Sequence, residues 1–372
     1  MSANDAAVSS SVLGSESKSI KINLIEDLGS ESEGENAPKK KMRIGVIGTF
    51  VWDVIYGRDK RAVPVEEWGG ITYTLAGLDA ALTDDWEIVP ILKVGDDLAD
   101  RARVFCKALK HMAPDAELIA VPYPNQRVEL RYTDAERRTE ILTGGVPAWT
   151  WQALKPVLDG ARLDALFVNF LSGWELDLPT VQMIRRHLNV PIHCDLHMLM
   201  WAVQADGRRT LRPLPDVAEW CACFDVLQVN EEEMAMLAPD PMALAATAMA
   251  AGTSCLCVTL GRQGVVYVAA PGFERLTDRT SRSGISTSSR GGAGNFGAVR
   301  TALVPAEIAN VDGDGDPTGC GDVWGATYFS KLLAGYILPE AIVAANKAAA
   351  RNVEHRGASG LAQHLRGELS TT

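Results

Sequence analysis

Residues 316–322 (Asp-Pro-Thr-Gly-Cys-Gly-Asp) begin a segment whose apolar spacing is helical and whose predicted end is Gly335. Glycines let the backbone bring its N–H groups close to an anion, and a helix N-terminus attracts phosphate. Asp322 is a negative charge at a position otherwise suited to anions. One interpretation is an acidic helix cap after a glycine turn. The other, which explains the combination better, is a base that takes a proton from a hydroxyl beside a bound phosphate.

This segment resembles the Asp-Thr-x-Gly-x-Gly-Asp signature of the ribokinase-like, PfkB-type carbohydrate kinases, and the resemblance covers roughly residues 42–365. It implies an α/β fold, a ribokinase-like three-layer sandwich with a mostly parallel central sheet and a small β lid. It also implies that Asp322 is the catalytic base. The backbone of Gly319, Cys320 and Gly321 would then stabilise the transferred phosphoryl group.

On the acceptor side, the strand-like run 43–48 is followed by Asp53, which by resemblance hydrogen-bonds substrate hydroxyls. A surface aspartate in a loop is the alternative. Gly69 and Gly70 resemble the family's glycine pair for sugar binding, where bare backbone lets a polyol approach closely. Thr74 stands where the family usually has asparagine, so the nature of the acceptor is left open.

On the phosphate side, Asn230 and Glu233 resemble the family's Asn-x-x-Glu motif. By resemblance, Asn230 reaches phosphate and Glu233 orders water around Mg²⁺. A helix N-cap with acidic residues in its first turn is the alternative interpretation. Asp195 ends a strand where the family often has an aspartate near the phosphates. His193 and His197 flank it on an extended segment, and that spacing does not predict a metal site.

Thr259, Gly261 and Gly264 resemble the family's Thr-x-Gly-x-x-Gly turn along the nucleotide, and Asn346 falls where family members have an asparagine beside the adenine. The resemblance implies ATP and Mg²⁺ as cofactors, with K⁺ held by carbonyls of the signature segment as a further candidate. No Gly-x-x-x-x-Gly-Lys-Ser/Thr loop occurs, which excludes a Walker-type ATPase.

Composition narrows the class of protein. The chain has 372 residues, 47% of them hydrophobic and 22% charged, as in soluble globular proteins. Its net charge of −11 opposes general affinity for nucleic acid or anionic membranes. No apolar run reaches the length of a membrane span and no secretory signal is recognisable, so we expect a cytoplasmic protein. Seven scattered cysteines predict reduced thiols, and Cys320, near a helix N-terminus, is expected to have a lowered pKa.

The order of elements along the chain is typical of a parallel sheet covered by helices on both faces. Residues 1–41 are polar and predict a disordered tail before one kinase domain over 42–372. The predicted strands are Ile44–Ile47, Ile88–Val94, Ala165–Phe170, Pro191–Leu196, Val226–Val229 and Cys255–Leu260. Pro339–Glu354 has a helical pattern.

Two regions break this order. Arg127–Tyr132 alternates charged and apolar residues, which predicts a half-exposed antiparallel strand, and residues 50–74 lack a clear helix before Gly77. By resemblance these regions form the lid, over about 53–74 and 125–143, and a homodimer through the lid is left open. Residues 279–297 are rich in Ser, Gly and Arg and predict a mobile surface loop.

These features predict an ATP-dependent enzyme that phosphorylates a hydroxyl of a small sugar or sugar-like polyol. The alternatives are a nucleoside or inositol kinase of the same fold, an ADP-dependent sugar kinase, and a ligand-binding regulator that has lost catalysis. Arg127 or Arg131 could contact an anionic substrate, although an exposed lid face explains both arginines equally well.

Overall fold

The computed structural model describes residues 40–56, 63–132, 138–279, 298–311 and 315–369. The strands are β1 (Met42–Tyr56), β2 (Val65–Gly70), β3 (Trp86–Gly95), β4 (Ile119–Val121), β5 (Gln126–Tyr132), β6 (Arg138–Thr143), β7 (Ala165–Asn169), β8 (Ile192–Asp195), β9 (Trp201–Val203), β10 (Arg209–Leu211), β11 (Val226–Asn230), β12 (Cys255–Thr259), β13 (Val265–Ala269) and β14 (Arg300–Val304). The helices are α1 (Ile71–Ala81), α2 (Ala99–Lys107), α3 (Trp151–Ala161), α4 (Leu178–His187), α5 (Val217–Cys221), α6 (Glu231–Leu237), α7 (Pro241–Ala250), α8 (Cys320–Leu333), α9 (Leu338–Val353) and α10 (Leu361–Arg366).

The central sheet has the strand order β14-β13-β12-β11-β8-β7-β1-β3-β4. Pairing is parallel from β12 to β4, and β13 and β14 add an antiparallel edge. All six strands predicted from apolar runs are present, which confirms the mostly parallel sheet. These strands could be predicted because each is buried on both faces of the sheet. Its sequence is therefore a continuous apolar run, whichever strand lies next to it.

Helices cover both faces of this sheet. Strand β7 illustrates the arrangement, because Phe167 packs into one hydrophobic cluster while Leu166 and Val168 pack into the other. Helices α1, α2, α8, α9 and α10 contribute to the first cluster, and α3 to α7 contribute to the second. The predicted three-layer sandwich is confirmed.

Strand β1 belongs to two sheets. Its first half, Met42 to Thr49, pairs with β3 in the central sheet, and its second half pairs with β2 and β5 in a small sheet. Strand β5 is antiparallel to β6, as predicted for Arg127–Tyr132, but it is parallel to β1. A short hairpin of β9 and β10 adjoins this sheet through a bridge between Ile141 and Arg208.

The prediction that no helix precedes Gly77 is wrong, because α1 begins at Ile71. The first turn of α1 contains Thr72, Tyr73 and Thr74, whose types disfavour helix in isolation. All three side chains are buried, so tertiary packing overrides their local preference. The last residues of the predicted lid segment 53–74 therefore belong to a core helix.

The C-terminal helices match their sequence signals. Helix α8 is followed by Gly335 with a φ of 84°, and α9 spans nearly all of the predicted segment Pro339–Glu354. The predicted tail lies outside the described residues up to residue 39, and so do residues 280–297 of the predicted loop. Within the described ranges no helix combines the length and apolarity that a membrane span needs.

Candidate active site

Two adjoining cavities open at the carboxyl ends of the central parallel strands, where ligands of open α/β sheets bind. The first cavity, of about 430 Å³, lies between the small sheet and the start of α8. The second cavity, of about 680 Å³, lies against α8, α9 and residues 306–311. Both are lined by Thr259 and Gly261, and by Cys320 and Gly321 of the signature segment. The predicted glycine turn thus lies where two ligands would meet.

Asp322 lines the first cavity from the first turn of α8. Asn169, at the end of β7, donates through Nδ2 to the Asp322 Oδ1 at 2.5 Å and to the Thr74 Oγ1 at 3.0 Å. The Thr74 hydroxyl lies 3.5 Å from the same carboxylate oxygen. Desolvation raises the pKa of Asp322, while His197, Asn169 and Thr74 oppose the rise. Two neutral side chains therefore orient a carboxylate that burial makes more basic than usual.

The turn before α8 keeps backbone N–H groups available. Gly319 has a φ of 75°, and a Cβ there would lie 2.1 Å from Cδ1 of the buried Tyr73 ring, so only glycine fits. The Cys320 N–H donates to the Pro317 carbonyl at 3.2 Å. Within the described ranges, no backbone acceptor pairs with the amides of Gly319 and Gly321. These two amides, at the positive end of α8, can receive an anion.

The expectation of a low pKa for Cys320 is wrong. Burial raises the pKa of its thiol to about 11, and the Asn352 amide beside it opposes the rise only in part. The thiol lies 3.5 Å from the Ala349 carbonyl, so it packs against α9. Position at a helix N-terminus did not decide this pKa, because the side chain points into the protein.

Asn230 and Glu233 form a capping box at the start of α6, as the alternative interpretation anticipated. The Asn230 Oδ1 accepts the Glu233 N–H at 2.9 Å, and the Glu233 Oε2 accepts the Asn230 N–H at 2.9 Å. The Glu233 Oε1 also accepts from the Asn230 Nδ2 and from the His197 Nδ1, both at 2.7 Å. Both carboxylate oxygens are engaged, so Glu233 orients His197 and has little capacity left for metal-bound water.

His197 lines the first cavity with an uncommon backbone φ of 24°. Burial opposes its charge, but Glu233, Asp195 and Asp322 outweigh burial and raise its pKa to about 10. His193 differs, because it is enclosed by aromatic rings and burial lowers its pKa to about 3. His197 therefore supplies a positive charge in the cavity of the predicted base, and His193 is a neutral core residue.

Asp195 is a further acidic side chain that lines this cavity. The backbone N–H of His197 donates to its Oδ1 at 3.2 Å. Burial raises the pKa of Asp195, His197 opposes the rise, and Glu233 and Asp322 add to it. Crowded carboxylates of this kind suit Mg²⁺ that arrives with nucleotide phosphates and keeps several waters. In the described part of the chain, no cluster of three or more His, Cys, Asp or Glu side chains could hold a metal directly.

The signature oxygens that could bind K⁺ already have partners. The Asp316 Oδ1 accepts the Thr318 N–H at 2.9 Å, and the Thr318 carbonyl accepts from the Asn352 Nδ2 at 2.8 Å. Each oxygen keeps a second lone pair, and binding of K⁺ stays a prediction.

Of the four residues predicted to bind the acceptor substrate, two line the first cavity and two do not. Asp53 is 7% exposed and lines the first cavity, as does Gly70. Gly69 makes room for Asp53, because a Cβ on Gly69 would lie 2.0 Å from the Asp53 Oδ2. Thr74 is fully buried and does not line the cavity, and its hydroxyl lies near Asp322 instead.

The two arginines of the predicted lid do not reach the first cavity. Arg127 pairs with Asp97 at 2.8 Å, and Arg131 pairs with Glu129 at 2.7 Å. The arginine that lines the cavity is Arg209 of β10, which no sequence pattern had singled out.

The second cavity contains the predicted nucleotide residues. Gly264 has a φ of 105°, and a Cβ there would lie 2.1 Å from the Val304 carbonyl oxygen. Asn346 lines the cavity, but its Oδ1 accepts from the Trp324 Nε1 and its Nδ2 donates to the Pro305 carbonyl, both at 2.8 Å. Asn346 thus holds the cavity wall together. Much of that wall is apolar: Val265, Ala306, Ile308, Ala309, Ala349 and Val353.

Comparisons with known proteins bear on the fold and on part of the chain. The model for "pfkB family carbohydrate kinase" matches residues 203–364. No curated protein matches the chain by sequence. A pyrophosphate-dependent kinase in the ribokinase family, solved with a pyrophosphate analog and myo-inositol, is 15% identical with a TM-score of 0.63, over 84% of this chain and 96% of that chain.

Two further solved structures are similar at comparable distance. The nucleoside kinase of Burkholderia thailandensis in complex with inosine is 14% identical with a TM-score of 0.59, over 86% of this chain and 93% of that chain. The Arabidopsis thaliana ribokinase complexed with ribose and ATP is 14% identical with a TM-score of 0.57, over 88% and 99%. Residues 203–364 are thus similar to the pfkB family of carbohydrate kinases, and the solved structures show that the chain has the ribokinase-like fold.

Three residues of the site were not assigned from the sequence. Asn169 had a usable signal, because it is a polar residue at the carboxyl end of a buried parallel strand. His197 was noted only as an unsuitable metal ligand, and its contact with Glu233 spans two elements. Arg209 had no signal, since it lies in a short polar hairpin far along the chain from the other acceptor residues.

Proposed function

We propose that this protein transfers a phosphoryl group from ATP to a hydroxyl of a small sugar or polyol. The observation that carries the proposal is that Asp322 and Gly319 line the first cavity, while Gly321 between them lines both cavities. An acceptor in the first cavity would give its hydroxyl proton to Asp322. The phosphates of a donor in the second cavity would extend toward the two amides.

The small sheet would help to exclude water from the first cavity, as phosphoryl transfer to an alcohol requires. Val51, Val128 and Leu130 of this sheet line the first cavity with apolar surface. Mg²⁺ would neutralise phosphate charge and be held by the phosphates and by water near Asp195. A homodimer through the small sheet stays a prediction.

Two donors are compared, because three of the structural neighbours are pyrophosphate-dependent kinases. Pyrophosphate has no base or ribose and would leave the apolar second cavity unfilled. That cavity, of about 680 Å³, has room for a nucleoside. We therefore favour ATP, with ADP as the alternative nucleotide, over pyrophosphate.

Replacement of Ile308 by serine tests the donor assignment. Ile308 is 92% exposed and lines the second cavity, so the change should not disturb folding. We expect the KM for ATP to rise about fivefold, because a nucleobase that covers this side chain gains on the order of 1 kcal/mol. Steady-state kinetics with ATP and with pyrophosphate measure the effect.

The matched control is Leu303→Ser on β14, which is 55% exposed and does not line the second cavity. Its KM for ATP should equal that of the unaltered protein. Efficient turnover with pyrophosphate, and an ATP KM insensitive to Ile308→Ser, would contradict the nucleotide assignment.

His197 is the residue we propose to neutralise phosphate charge in the first cavity. Its ring is held through Nδ1 by Glu233, which leaves Nε2 as the donor to a phosphate oxygen. In His197→Gln we expect kcat to fall about tenfold, since a hydrogen bond from a charged group contributes about 1.5–3 kcal/mol. The matched control is His187→Gln on α4, which pairs with Asp159 and lines neither cavity. Equal kcat for the two variants would remove His197 from the mechanism.

The acceptor class is tested by donor consumption with Mg²⁺ across ribose, fructose and its phosphates, sugar acids, inositols and nucleosides. Inositol and nucleoside acceptors enter this panel because neighbouring structures contain them. Turnover with any acceptor supports the kinase. Binding of ATP without turnover across the whole panel would favour a ligand-binding regulator.

A further inference from the structure

Arg209 is a buried cation in the wall of the first cavity. Its side chain is 4% exposed, and Nε has no hydrogen-bond partner within the described ranges. The other guanidinium contacts are weak: NH1 lies 3.2 Å from the Met198 sulfur, and NH2 donates to the Leu171 carbonyl at 3.3 Å. A buried guanidinium normally has charged or multiple oxygen partners, so this one is poorly matched by the protein.

The neighbouring carboxylates do not supply the missing partner. Glu140, on β6, lies 3.8 Å from NH1, which is longer than a charge-assisted hydrogen bond. Glu175 accepts the backbone N–H groups of residues 171–173 at 2.6–3.0 Å, so its oxygens are already used. Burial lowers the pKa of Arg209, although Glu140, Glu175 and Asp53 act in the opposite direction. The guanidinium lies where its positive charge is incompletely balanced.

We propose that Arg209 selects an acceptor that carries an oxyanion, either a carboxylate or a phosphate monoester, in addition to its hydroxyls. This inference rests on the proposed kinase function and narrows its substrate class to polyhydroxy acids and sugar phosphates. Planar guanidinium pairs with such groups through two parallel hydrogen bonds. Asp53, in the same cavity wall, would accept hydrogen bonds from the hydroxyls. Arg209 and Asp53 would thus bind different groups of the same acceptor, the oxyanion and the hydroxyls.

A purely structural role for Arg209 would be to tether the β9–β10 hairpin to β6 through Glu140. That role predicts loss of stability on substitution but no change in the discrimination between acceptors. The hairpin is also attached by the bridge of Ile141 to Arg208 and by the hydrogen bond from the Leu142 N–H to the Gly207 carbonyl at 2.9 Å. These backbone contacts persist when the side chain at position 209 changes.

The experiment compares three six-carbon acceptors: glucitol, which has no oxyanion, gluconate, with a carboxylate at C1, and glucitol 6-phosphate, with a phosphate at C6. We expect kcat/KM for gluconate or for glucitol 6-phosphate to exceed that for glucitol, and the preferred one identifies the oxyanion. In Arg209→Met, the KM for that acceptor should rise about tenfold or more while kcat changes little. Arg209→Lys should recover part of the affinity for the phosphate, since lysine keeps the charge without the fork.

The control is Arg208→Gln, whose side chain is exposed beside Asp206 and does not line the cavity. Its kinetics should match those of the unaltered protein. A preference of the unaltered protein for glucitol, or an equal effect of Arg209→Met on all three acceptors, would overturn the inference.

A binding measurement separates this inference from the proposed function. Without donor, gluconate or glucitol 6-phosphate should raise the Tm of the unaltered chain and of Arg208→Gln, but not of Arg209→Met. If no acceptor is phosphorylated by any donor, the kinase proposal fails, and this Tm shift still decides whether Arg209 binds an oxyanion. No shift with either anion would overturn the inference even if other acceptors are phosphorylated.

Discussion

Asp322→Asn should fold normally and lose on the order of 10²–10⁴ in kcat, which is the usual contribution of a positioned general base. Asparagine has nearly the same shape and can still accept from Asn169, but it cannot take a proton. The measurement is kcat with the preferred acceptor, together with circular dichroism and Tm. Asp100→Asn on α2, where the side chain is 98% exposed, is the matched control and should keep full activity.

The pH dependence and the stability of this variant follow from the raised pKa of Asp322. Because a base must be ionised, activity should rise with pH through a value above the ordinary aspartate range. A raised pKa in the folded state means that folding favours the protonated carboxyl group. The contribution of this group to the free energy of unfolding is therefore lost as pH rises through the folded pKa. At neutral pH, Asp322→Asn should therefore be at least as stable as the unaltered protein. Near-full activity of the variant, or the absence of the acid limb in the unaltered protein, would contradict the assignment.

Gly319→Ala should reduce kcat on the order of 10²-fold and also lower the free energy of unfolding. The new Cβ would lie 2.1 Å from Cδ1 of Tyr73, whose ring is 2% exposed and cannot move away. The start of α8 must shift instead, and a displacement of about 1 Å in a catalytic group can cost 10²-fold. Left-handed strain of roughly 1–2 kcal/mol and overpacking of about 1–3 kcal/mol act together on stability. Kinetics and denaturant unfolding measure both effects.

Gly335→Ala separates the strain from the clash. Gly335 has a φ of 84°, and no atom lies within 4 Å of an added Cβ. This variant should lose only the strain contribution, roughly 1–2 kcal/mol, and keep its kcat. If Gly319→Ala retained the activity of Gly335→Ala, the turn before α8 would not be the site of phosphoryl transfer.

Much of the fold could be predicted because its signals are local. Each of the six predicted strands is an apolar run bounded by a turn or a helix, and burial on both faces makes such runs recognisable without knowing their neighbours. Helix α1 was missed because its first turn has poor intrinsic propensity, and only its packing against α8 and β1 makes it helical. The small sheet was inferred by resemblance, and its parallel pairing of β1 with β5 was not anticipated.

Within the site, glycine positions were the easiest to interpret and polar contacts the hardest. Gly264, Gly319 and the pair at 69 and 70 do have the close approaches or positive φ that glycine permits. Cys320 was misjudged because a thiol's pKa depends on where its side chain points, and that direction is not encoded in the spacing. Glu233 was predicted to bind Mg²⁺ through water. In the structure its carboxylate is hydrogen-bonded to His197, which follows a different strand and lies next to Glu233 only in the folded chain.

By itself, the amino-acid sequence determined the α/β order of elements and the glycine turn at the start of α8, and it singled out Asp322 as the candidate base. Each of these depends on neighbours along the chain. Tertiary structure decided which groups act on that carboxylate: Thr74 and Asn169 are 248 and 153 residues away in sequence. It also decided that Arg209, and neither arginine of the lid, lines the first cavity. Such contacts arise from the packing of separate strands and helices, and a one-dimensional pattern carries no information about those distances.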